Sequence, residues 1–393
     1  MELTMKQEEG LKIAVARYHY GEKYTVISGY AGSGKSTTVR AIVEALDIPE
    51  ENICYAAFTG KASEVLRKKG NQNAVTLHKL LYDFIPQKDG TFIKIAKDQL
   101  AYSLIIVDEC SMVPKEMIEQ LMKYHGIYMI FLGDPGQLPP ISKDTDNHLL
   151  DHPHVFFNEI MRQAQDSEII RLSMDIREGK PLSLFKGKDV QVLNKNDLNM
   201  GMLTWADIVL AGTNNTRRSI NQQIRQHLGF TKPTPQENDK IICSRNYWQN
   251  LSDEESPLIN GSIGCLVNTY ESFIHYPSWM KIGSIPVIEG EFVTEEGERF
   301  SNLILDKEFF ASGQKALSKQ QEYLISRSKT HRKKVLKEFD YGYCITVHKA
   351  QGSEWDKVLV FEESFPFDKE EHARWLYTAV TRSSKKCVLI KNS

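Results

Sequence analysis

Short apolar runs alternate with stretches of helical spacing through the first third of the chain. Residues 24–28, 52–58, 104–107 and 127–132 are apolar or β-prone, and residues 36–46 have the spacing of an amphipathic helix. Short buried strands that are separated by helices are typical of a parallel sheet with both faces covered. The pattern therefore predicts an α/β lobe over residues 1–152.

A second strand and helix series follows, and it is interrupted. Residues 158–179 have helical spacing, and β-prone runs lie at 206–211, 343–347, 357–361 and 387–390. The spacing predicts a second α/β lobe of similar construction, formed by residues 153–245 and 340–393, with residues 246–339 as an insertion.

The two predicted insertions differ in kind. Residues 246–339 begin with glycines and short β-prone runs, as in a small β-barrel, and end with polar residues of helical spacing over 314–339. In the first lobe, residues 79–102 contain two alternating runs, 82–86 and 91–95, around an Asp-Gly pair. That arrangement predicts a β-hairpin that protrudes from the parallel lobe.

Composition changes this picture little. The 393 residues are 41% hydrophobic and 25% charged, with a net charge of −2, so any nucleic acid would bind to local clusters of cations and not to a basic surface as a whole. No window is apolar enough to span a bilayer, and the first ten residues do not resemble a secretory signal. The six scattered cysteines indicate reduced thiols. We expect a cytoplasmic protein without membrane contact.

The strongest motif is a glycine-rich phosphate loop. Residues 29–36 match G-x-x-x-x-G-K-[ST] between a predicted strand and a predicted helix, which is the context that such a loop requires. Its backbone N–H groups would cradle phosphate oxygens, Lys35 would reach the β- and γ-phosphates, and Ser36 would hold Mg²⁺. The nucleotide-binding candidates in this segment are Gly29, Gly32, Ser33, Gly34, Lys35, Ser36 and Thr37.

Two carboxylates follow the strand at 104–107. Parallel strands present their carboxyl ends at one edge of the sheet, so Asp108 and Glu109 should lie beside the phosphate loop. Asp108 would bind Mg²⁺, and Glu109 would orient and deprotonate the attacking water. An Asp-Glu pair alone is usually structural, and it gains its meaning here from the loop that precedes it.

A family resemblance rests on the run from Phe131 to Pro140, FLGDPGQLPP, which resembles motif III of superfamily 1 helicases. The other motifs of the family are present in the family's order. In the first predicted lobe, Leu3-Thr4 with Gln7 resembles the Q motif, residues 57–62 resemble motif Ia, residues 76–78 resemble the short motif of the RecD-like and Dda-like branch, and Asp108 to Ser111 resemble the DExx box. In the second, residues 161–163 resemble motif IV, residues 346–354 resemble motif V, and residues 377–382 resemble motif VI. Two departures are Phe58, where motif Ia commonly has proline, and Cys110, where the DExx box has alanine or valine.

The resemblance implies two RecA-like parallel-sheet lobes, a hairpin in the first, and a small SH3-like barrel with a helical segment inserted in the second. It implies that Gln7 reads adenine and that Gln137 senses the γ-phosphate. Arg162 and Arg382 would act as arginine fingers from the second lobe, while Gly352 and Glu354 would touch the γ-phosphate and ribose. The cofactors would be ATP and Mg²⁺, and the activity would be 5′-to-3′ unwinding of DNA by a monomer, most similar to phage-type members.

A motor that moves along DNA must grip the backbone without reading sequence, with polar groups on phosphates and flat groups on bases. The candidates for this role are Thr59, Lys61, His78, Pro139, Thr213, Asn214, Thr346 and His348, with Phe84 and Phe92 on the hairpin. Alternatives stay open: core histidines for His78 and His348, a helix cap for Thr213 and Asn214, and packing against the lobe for the hairpin aromatics.

A run of six cations between residues 326 and 337 contains no acidic residue. It would either clamp DNA phosphates or form a solvated helix face. The expected partners are single-stranded DNA and its junctions with duplex, and possible protein partners are single-strand-binding, replication or recombination proteins. If a phage encodes the protein, it acts in the bacterial host cytoplasm. The rival functions are a phosphotransferase or nuclease-linked NTPase, which would need an acceptor site or a carboxylate cluster, and a DNA-loading factor with a vestigial ATPase.

Overall fold

The computed structural model describes residues 3–86, 92–139, 147–161, 166–247, 258–328, 330–331, 334–363 and 368–392, without the side chains of Phe84, Pro86, Phe92 and Ser326. The chain forms two compact units. The first unit comprises Met1–Tyr82, Ala96–Gly212 and Thr346–Ser393, and the second comprises Asp83–Ile95 and Thr213–Ile345. Within the described ranges, no helix combines the length and the apolar composition that crossing a membrane requires.

The strands, in chain order, are β1 (Tyr24–Gly29), β2 (Ile53–Ala57), β3 (Val75–Thr76), β4 (Tyr82–Pro86), β5 (Phe92–Ala96), β6 (Leu104–Asp108), β7 (Tyr128–Gly133), β8 (Val155–Phe157), β9 (Phe185–Lys186), β10 (Val190–Asn194), β11 (Ile208–Ala211), β12 (Lys240–Cys243), β13 (Ile263–His275), β14 (Ser284–Thr294), β15 (Arg299–Asp306), β16 (Phe339–Tyr341), β17 (Cys344–Thr346), β18 (Trp355–Phe361) and β19 (Ser383–Lys391).

The α-helices, in chain order, are α1 (Met5–His19), α2 (Lys35–Leu46), α3 (Gly60–Lys68), α4 (Leu77–Leu81), α5 (Lys115–Leu121), α6 (Glu168–Arg177), α7 (Met200–Trp205), α8 (Asn214–His227), α9 (Lys307–Ser312), α10 (Lys319–Arg327), α11 (Val347–Ala350) and α12 (Lys369–Val380).

The first sheet has the order β3-β2-β6-β7-β1-β8, and all of its strands are parallel. Successive residues of β6 point to opposite faces, so Ile105 packs with α4 and α5 while Ile106 packs with α1 and α2. Both faces are therefore buried, which explains why these strands are continuous apolar runs. The prediction of a parallel α/β sheet from the hydrophobic pattern is confirmed.

A second parallel arrangement lies in the same unit. Strands β11, β18, β19 and β10 pair side by side in parallel, and the two-residue strand β9 adds an antiparallel edge. Helix α12 packs with one face against this sheet, and its residues 375–380 are buried. The helix therefore has little freedom to shift along the sheet, and the residues at its end have fixed positions.

The second unit contains an antiparallel sheet in the order β15-β14-β13-β12-β16. One apolar cluster includes Phe292, Leu303 and Phe339, and another lies where Ile325 of α10 packs against Val287. Strands β4 and β5 pair as a separate two-stranded ribbon. The predicted hairpin strands are thus present, while its turn at 87–91 lies outside the described residues. The SH3-like barrel and the boundaries at 152, 245 and 340 stay predictions.

Two helical predictions were too long. Residues 158–161 are not helical, and helix α6 begins at Glu168, where the Ser167 side chain caps it by accepting the N–H of Ile170. Among the described residues of 314–339, α10 is the only α-helix, and Ser318 caps its N-terminus. Polar residues in turns produced a helical spacing where the backbone is not helical.

Candidate functional site

The phosphate loop connects β1 to α2 as predicted. Gly32 and Gly34 have φ angles of 74° and 82°, in the left-handed region that favours glycine. A Cβ atom on Gly34 would also lie 2.4 Å from Nε2 of Gln7. The motif glycines are therefore required by the local geometry.

Helix α2 begins without a capping side chain, since Gly34 is its N-cap residue. Thr4, Ser167, Thr213 and Asp368, in contrast, cap their helices with side-chain oxygens. The first N–H groups of α2 have no partner within the helix, and this end carries the positive pole of the helix dipole. A phosphate group fits this position in both charge and hydrogen bonding. The buried hydroxyl of Ser33, which has no protein partner, lies in the same loop.

Lys35 lies in a cleft of about 370 Å³ within the first unit. Its ammonium group donates to the carbonyl oxygens of Gly29 at 2.5 Å and Tyr30 at 3.0 Å. The other charged or amide side chains that line this cleft are Lys69, Asp108, Glu109, Asp134, Gln137, Glu354 and Arg382. With Gly32 and Gly352, which also line it, eight of the residues that the sequence singled out meet in one cavity. Ser36 is exposed at the start of α2, and Thr37 is half-buried beside it.

The two carboxylates differ in their surroundings. Asp108 ends β6 and accepts the N–H of Glu109 at 2.9 Å, while Glu109 has a φ of 51°, which is strained for a residue with a side chain. Burial and then the adjacent charge of Glu109 raise the pKa of Asp108 to about 6, although Lys35 opposes this shift. A divalent cation would relieve the repulsion between the carboxylates, and oxygen atoms are the ligands that Mg²⁺ prefers. Asp108 therefore suits a magnesium site, and the role of Ser36 in it stays a prediction.

Gln137 joins the two sides of the cleft. With its nitrogen turned toward Glu109, its amide donates to Oε2 of Glu109 at 3.3 Å and accepts from Nη2 of Arg382 at 3.2 Å. Arg382 is buried, and it also donates to the carbonyl oxygens of Thr378 at 3.0 Å and Ser353 at 3.3 Å. The guanidinium group is thus fixed at the same cleft as Lys35.

Other predicted nucleotide contacts are only partly described. Gly352 and Glu354 line the cleft, and Gly352 has a φ of 74°. Arg162 lies outside the described residues, so its role stays a prediction. Gln7 is buried; its oxygen accepts the N–H of Thr4 at 2.9 Å and its nitrogen donates to the Gly34 oxygen at 3.3 Å.

Gln7 borders a second cavity, of about 680 Å³, next to the phosphate loop. Ser33, Phe157, Met161 and Arg171 contribute to its lining. The position is suited to a base beside the phosphates, and adenine recognition by Gln7 stays a prediction. Its hydrogen bonds show that Gln7 also holds the glycine loop in place, which the motif alone did not indicate.

The DNA-binding candidates at motif Ia and at His78 are half-buried and already have partners. Thr59 caps α3 by accepting the N–H of Ala62 at 3.1 Å, and Lys61 lies 3.5 Å from Glu64. Half-buried His78 lies with its ring centroid 5.7 Å from that of Phe58 and 6.4 Å from that of Tyr82.

The motif V residues and Pro139 are also at least partly accessible. Thr346 and His348 are half-buried, and burial lowers the pKa of His348. Pro139 is exposed. Neither His78 nor His348 is therefore a fully buried core histidine.

In the second unit, Thr213 caps α8 by accepting the N–H of Thr216 at 3.2 Å, which agrees with the helix-cap alternative. Exposed Asn214 accepts from Nε of Arg217 at 3.2 Å. The side chains of Phe84 and Phe92 lie outside what the structure describes, so the proposed pin stays a prediction.

One member of the basic run was assigned wrongly. Lys337 neither clamps DNA nor forms a solvated face, because only 8% of it is exposed and its ammonium group lies 4.3 Å from the ring centroid of Tyr247. Burial lowers the pKa of Lys337 to about 8. Lys334, in contrast, is exposed. The spacing of cations alone could not separate these two environments.

Residues that sequence reasoning missed connect the elements around the cleft. Tyr377 and Thr378 are buried on α12, and their hydroxyls bind Asp134 and the N–H of Leu138. Burial raises the pKa of both Tyr377 and Asp134. Two hydroxyl side chains within the otherwise apolar run 375–380 at the end of this helix are the signal that could have found them.

Comparison with known proteins agrees with this geometry. A family model described as an AAA domain matches residues 3–198, and one described as a UvrD-like helicase C-terminal domain matches residues 341–390. The ATP-dependent DNA helicase dda of Enterobacteria phage T4 is 22% identical over 97% of both chains. The ATP-dependent RecD2 DNA helicase of Deinococcus radiodurans is 29% identical over 92% of this chain, which spans 46% of that protein.

Solved structures share the fold. The Pif1 helicase from Bacteroides in complex with ADP-AlF3 and ssDNA has a TM-score of 0.53 at 17% identity and covers 100% of this chain and 95% of its own. Pif1 from Candida albicans has a TM-score of 0.50 at 16% identity with the same coverage. Taken with the two family models, the full-length match to Dda and the cleft around Lys35, these findings show that the chain belongs to the superfamily 1 helicases of the Pif1, RecD and Dda group.

Proposed function

We propose that this protein is an ATP-dependent DNA helicase that moves along single-stranded DNA from 5′ to 3′ and opens the duplex ahead of it. The supporting observation is that Lys35, Asp108, Glu109, Gln137 and Arg382 surround one cleft at the end of a parallel sheet. Each of these five side chains has a role in the hydrolysis of a nucleoside triphosphate.

Each side chain has a separate task in that reaction. Lys35 and the open N-terminus of α2 bind the β- and γ-phosphates of ATP, and Glu109 orients a water molecule and accepts its proton. Ser36 and Asp108 would hold Mg²⁺, which when bound neutralises phosphate charge. Arg382 stabilises the negative charge that spreads over the equatorial oxygens in the transition state.

Nucleotide binding can change the positions of two proposed DNA-binding segments, motif Ia (57–62) and motif V (346–354). A Cβ atom on Gly352 would lie 2.9 Å from the Thr59 hydroxyl, so the two segments are in contact beside the cleft. Ala62, in the first turn of α3, also lines the cleft. ATP that binds a closed arrangement more tightly than an open one would shift the distance between these segments, and with it the grip on DNA.

The proposed partners follow from the same arrangement. Single-stranded DNA would contact Thr59, Lys61, His78, Thr346 and His348, and the β4–β5 ribbon would meet the junction with duplex. We infer a monomeric motor, since one chain supplies both Lys35 and Arg382 to the cleft. Single-strand-binding, replication or recombination proteins are candidate protein partners.

Two measurements test the proposal. Phosphate release from ATP should increase strongly when a single-stranded oligonucleotide is added, and Lys35→Ala should abolish this activity while single-stranded DNA still binds. Lys123→Ala, at an exposed position, is the matched control. A Lys35→Ala variant that hydrolyses ATP at the wild-type rate would contradict the assignment of the phosphate loop.

Direction is tested with two duplexes, one with a 5′ single-stranded tail and one with a 3′ tail. The protein should open the 5′-tailed duplex in the presence of ATP. Opening of the 3′-tailed substrate alone would exclude the proposed polarity, and phosphate release without any unwinding would favour a translocase or loading factor.

A further inference from the structure

A single hydroxyl group connects the phosphate loop to the loop after β7. The Tyr377 hydroxyl accepts the N–H of Ala31 at 2.8 Å and donates to Oδ2 of Asp134 at 2.7 Å. The second oxygen of Asp134 accepts the N–H of Gly136 at 2.9 Å. Tyr377 is 1% exposed and Asp134 is 2% exposed, so water does not compete for these bonds.

Thr378, the residue after Tyr377, and Gln351, the residue after helix α11, hold the loop from another side. Thr378 accepts the N–H of Leu138 at 2.9 Å, and Gln351 donates to the Leu138 oxygen at 2.8 Å. The ring of Tyr377 lies against the backbone of the loop, since a Cβ atom on Gly136 would be 3.0 Å from it. Helix α12 is therefore bonded to both loops that surround the cleft.

These bonds form a continuous path to the residues of hydrolysis. It runs from Ala31 through Tyr377 to Asp134, and the Asp134 carboxylate fixes the turn at Gly136. The next residue is Gln137, whose amide contacts Glu109 and Arg382. A displacement of the phosphate loop can therefore be transmitted through hydrogen bonds to Glu109, which orients the water, and to Arg382.

We propose that Tyr377 is a positioning residue that couples the phosphate loop to Gln137 through Asp134 and so fixes the geometry in which ATP is hydrolysed. Tyr377 contacts neither of the reacting groups itself; it acts through the Asp134 carboxylate. This inference rests on the proposed ATPase function.

The physical reason is that both partners of the hydroxyl are costly to leave unpaired. Without it, the Ala31 N–H has no acceptor, and Asp134 loses one of its two hydrogen-bond donors in a buried site. The carboxylate could then rotate, and the turn that carries Gln137 would no longer have one defined position. Binding of ATP through the backbone of the phosphate loop and Lys35 would change less than the rate of the chemical step.

The test is Tyr377→Phe, which keeps the buried ring and removes only the hydroxyl. The second unit offers a matched control, because the Tyr343 hydroxyl also accepts a backbone N–H, from Lys240 at 3.0 Å, and donates to an aspartate, Asp239, at 3.0 Å. Both variants should lose a similar amount of thermal stability. Only Tyr377→Phe should lower kcat for DNA-stimulated hydrolysis, by about tenfold, with KM for ATP changed by less than about threefold.

Hydrogen exchange of the phosphate loop provides a readout that does not depend on turnover. The Ala31 amide should exchange faster in Tyr377→Phe than in the wild type or in Tyr343→Phe. A Tyr377→Phe protein with wild-type kcat and wild-type exchange at Ala31 would overturn the inference, as would an equal loss of kcat in both variants. A wild-type protein without ATPase activity would instead contradict the proposed function, and the exchange data would still decide whether Tyr377 fixes the loop.

Discussion

A single substitution at Gln137 should lower the rate of ATP hydrolysis while it leaves the stability of the protein nearly unchanged. Gln137→Leu removes the amide that contacts Glu109 at 3.3 Å and Arg382 at 3.2 Å and replaces it with an apolar group of similar size. The side chain is 7% exposed, so leucine should pack at this position without a large loss of stability.

The expected magnitude follows from which partner loses its position. Arg382 keeps its bonds to the carbonyl oxygens of Thr378 and Ser353, and it should therefore stay in place. Glu109 loses a hydrogen bond to a charged group, which contributes about 1.5–3 kcal/mol. If that contribution is made in the transition state, kcat should fall by roughly 10- to 150-fold.

Steady-state phosphate release with a saturating oligonucleotide measures kcat and KM for ATP, and Gln223→Leu, at an exposed position of α8, is the control. KM should change by less than about threefold, and the melting temperature by no more than about 2 °C. A Gln137→Leu protein with kcat near the wild-type value would refute the assigned bridge. A rise in KM at constant kcat would mean that Gln137 only binds ATP.

Two further predictions concern stability. Glu168 accepts N–H groups from Asp189, Val190 and Lys188, bonds that lower its pKa below the ordinary 4.5. Because the folded state favours the charged form, Glu168→Gln should lower the melting temperature at pH 7. The difference in melting temperature between variant and wild type should vanish as the pH falls below 4.5 and through the lowered pKa of Glu168. A difference that stays constant down to pH 3 would contradict this. Burial lowers the pKa of Lys337 from 10.5 to about 8, so the folded state disfavours its charge, and Lys337→Met should be more stable than the wild type at pH 7, by up to about 3 kcal/mol. This advantage should shrink between pH 8 and 10.5, because the folded protein loses the Lys337 proton before the unfolded protein does. Thermal unfolding at pH 7 measures it, with Lys334→Met as the control. A Lys337→Met protein that is less stable than the wild type at pH 7 would show that burial of this charge does not destabilise the fold.

The sequence was sufficient where chemistry and local pattern coincide. The strands at 24–28 and 104–107 were located to within one residue, because strands buried on both faces are continuous apolar runs. Lys35, Asp108 and Glu109 could be placed together because they end or follow parallel strands of one sheet. Local rules are reliable here because the motif and its structural context lie next to each other in the chain.

The sequence was insufficient where a partner is distant. Nothing near Tyr377 in the chain indicates that its hydroxyl meets Ala31, and nothing near Lys337 shows that Tyr247 covers it. Strand β8 was missed because three residues are too few for an alternating pattern. Side-chain environments of this kind depend on the tertiary fold, and the origin of the protein from a phage likewise stays a prediction.

The bonds of Tyr377 bear on how the enzyme matures during translation. Its hydroxyl meets an amide that lies 346 positions earlier in the chain, so a ribosome that adds about 5–20 residues per second needs roughly 20–70 s to produce both. Throughout that time the nascent polypeptide contains a phosphate-binding segment but no bridging tyrosine and no Arg382. Products truncated before Arg382 should therefore hydrolyse ATP much more slowly than the whole chain does.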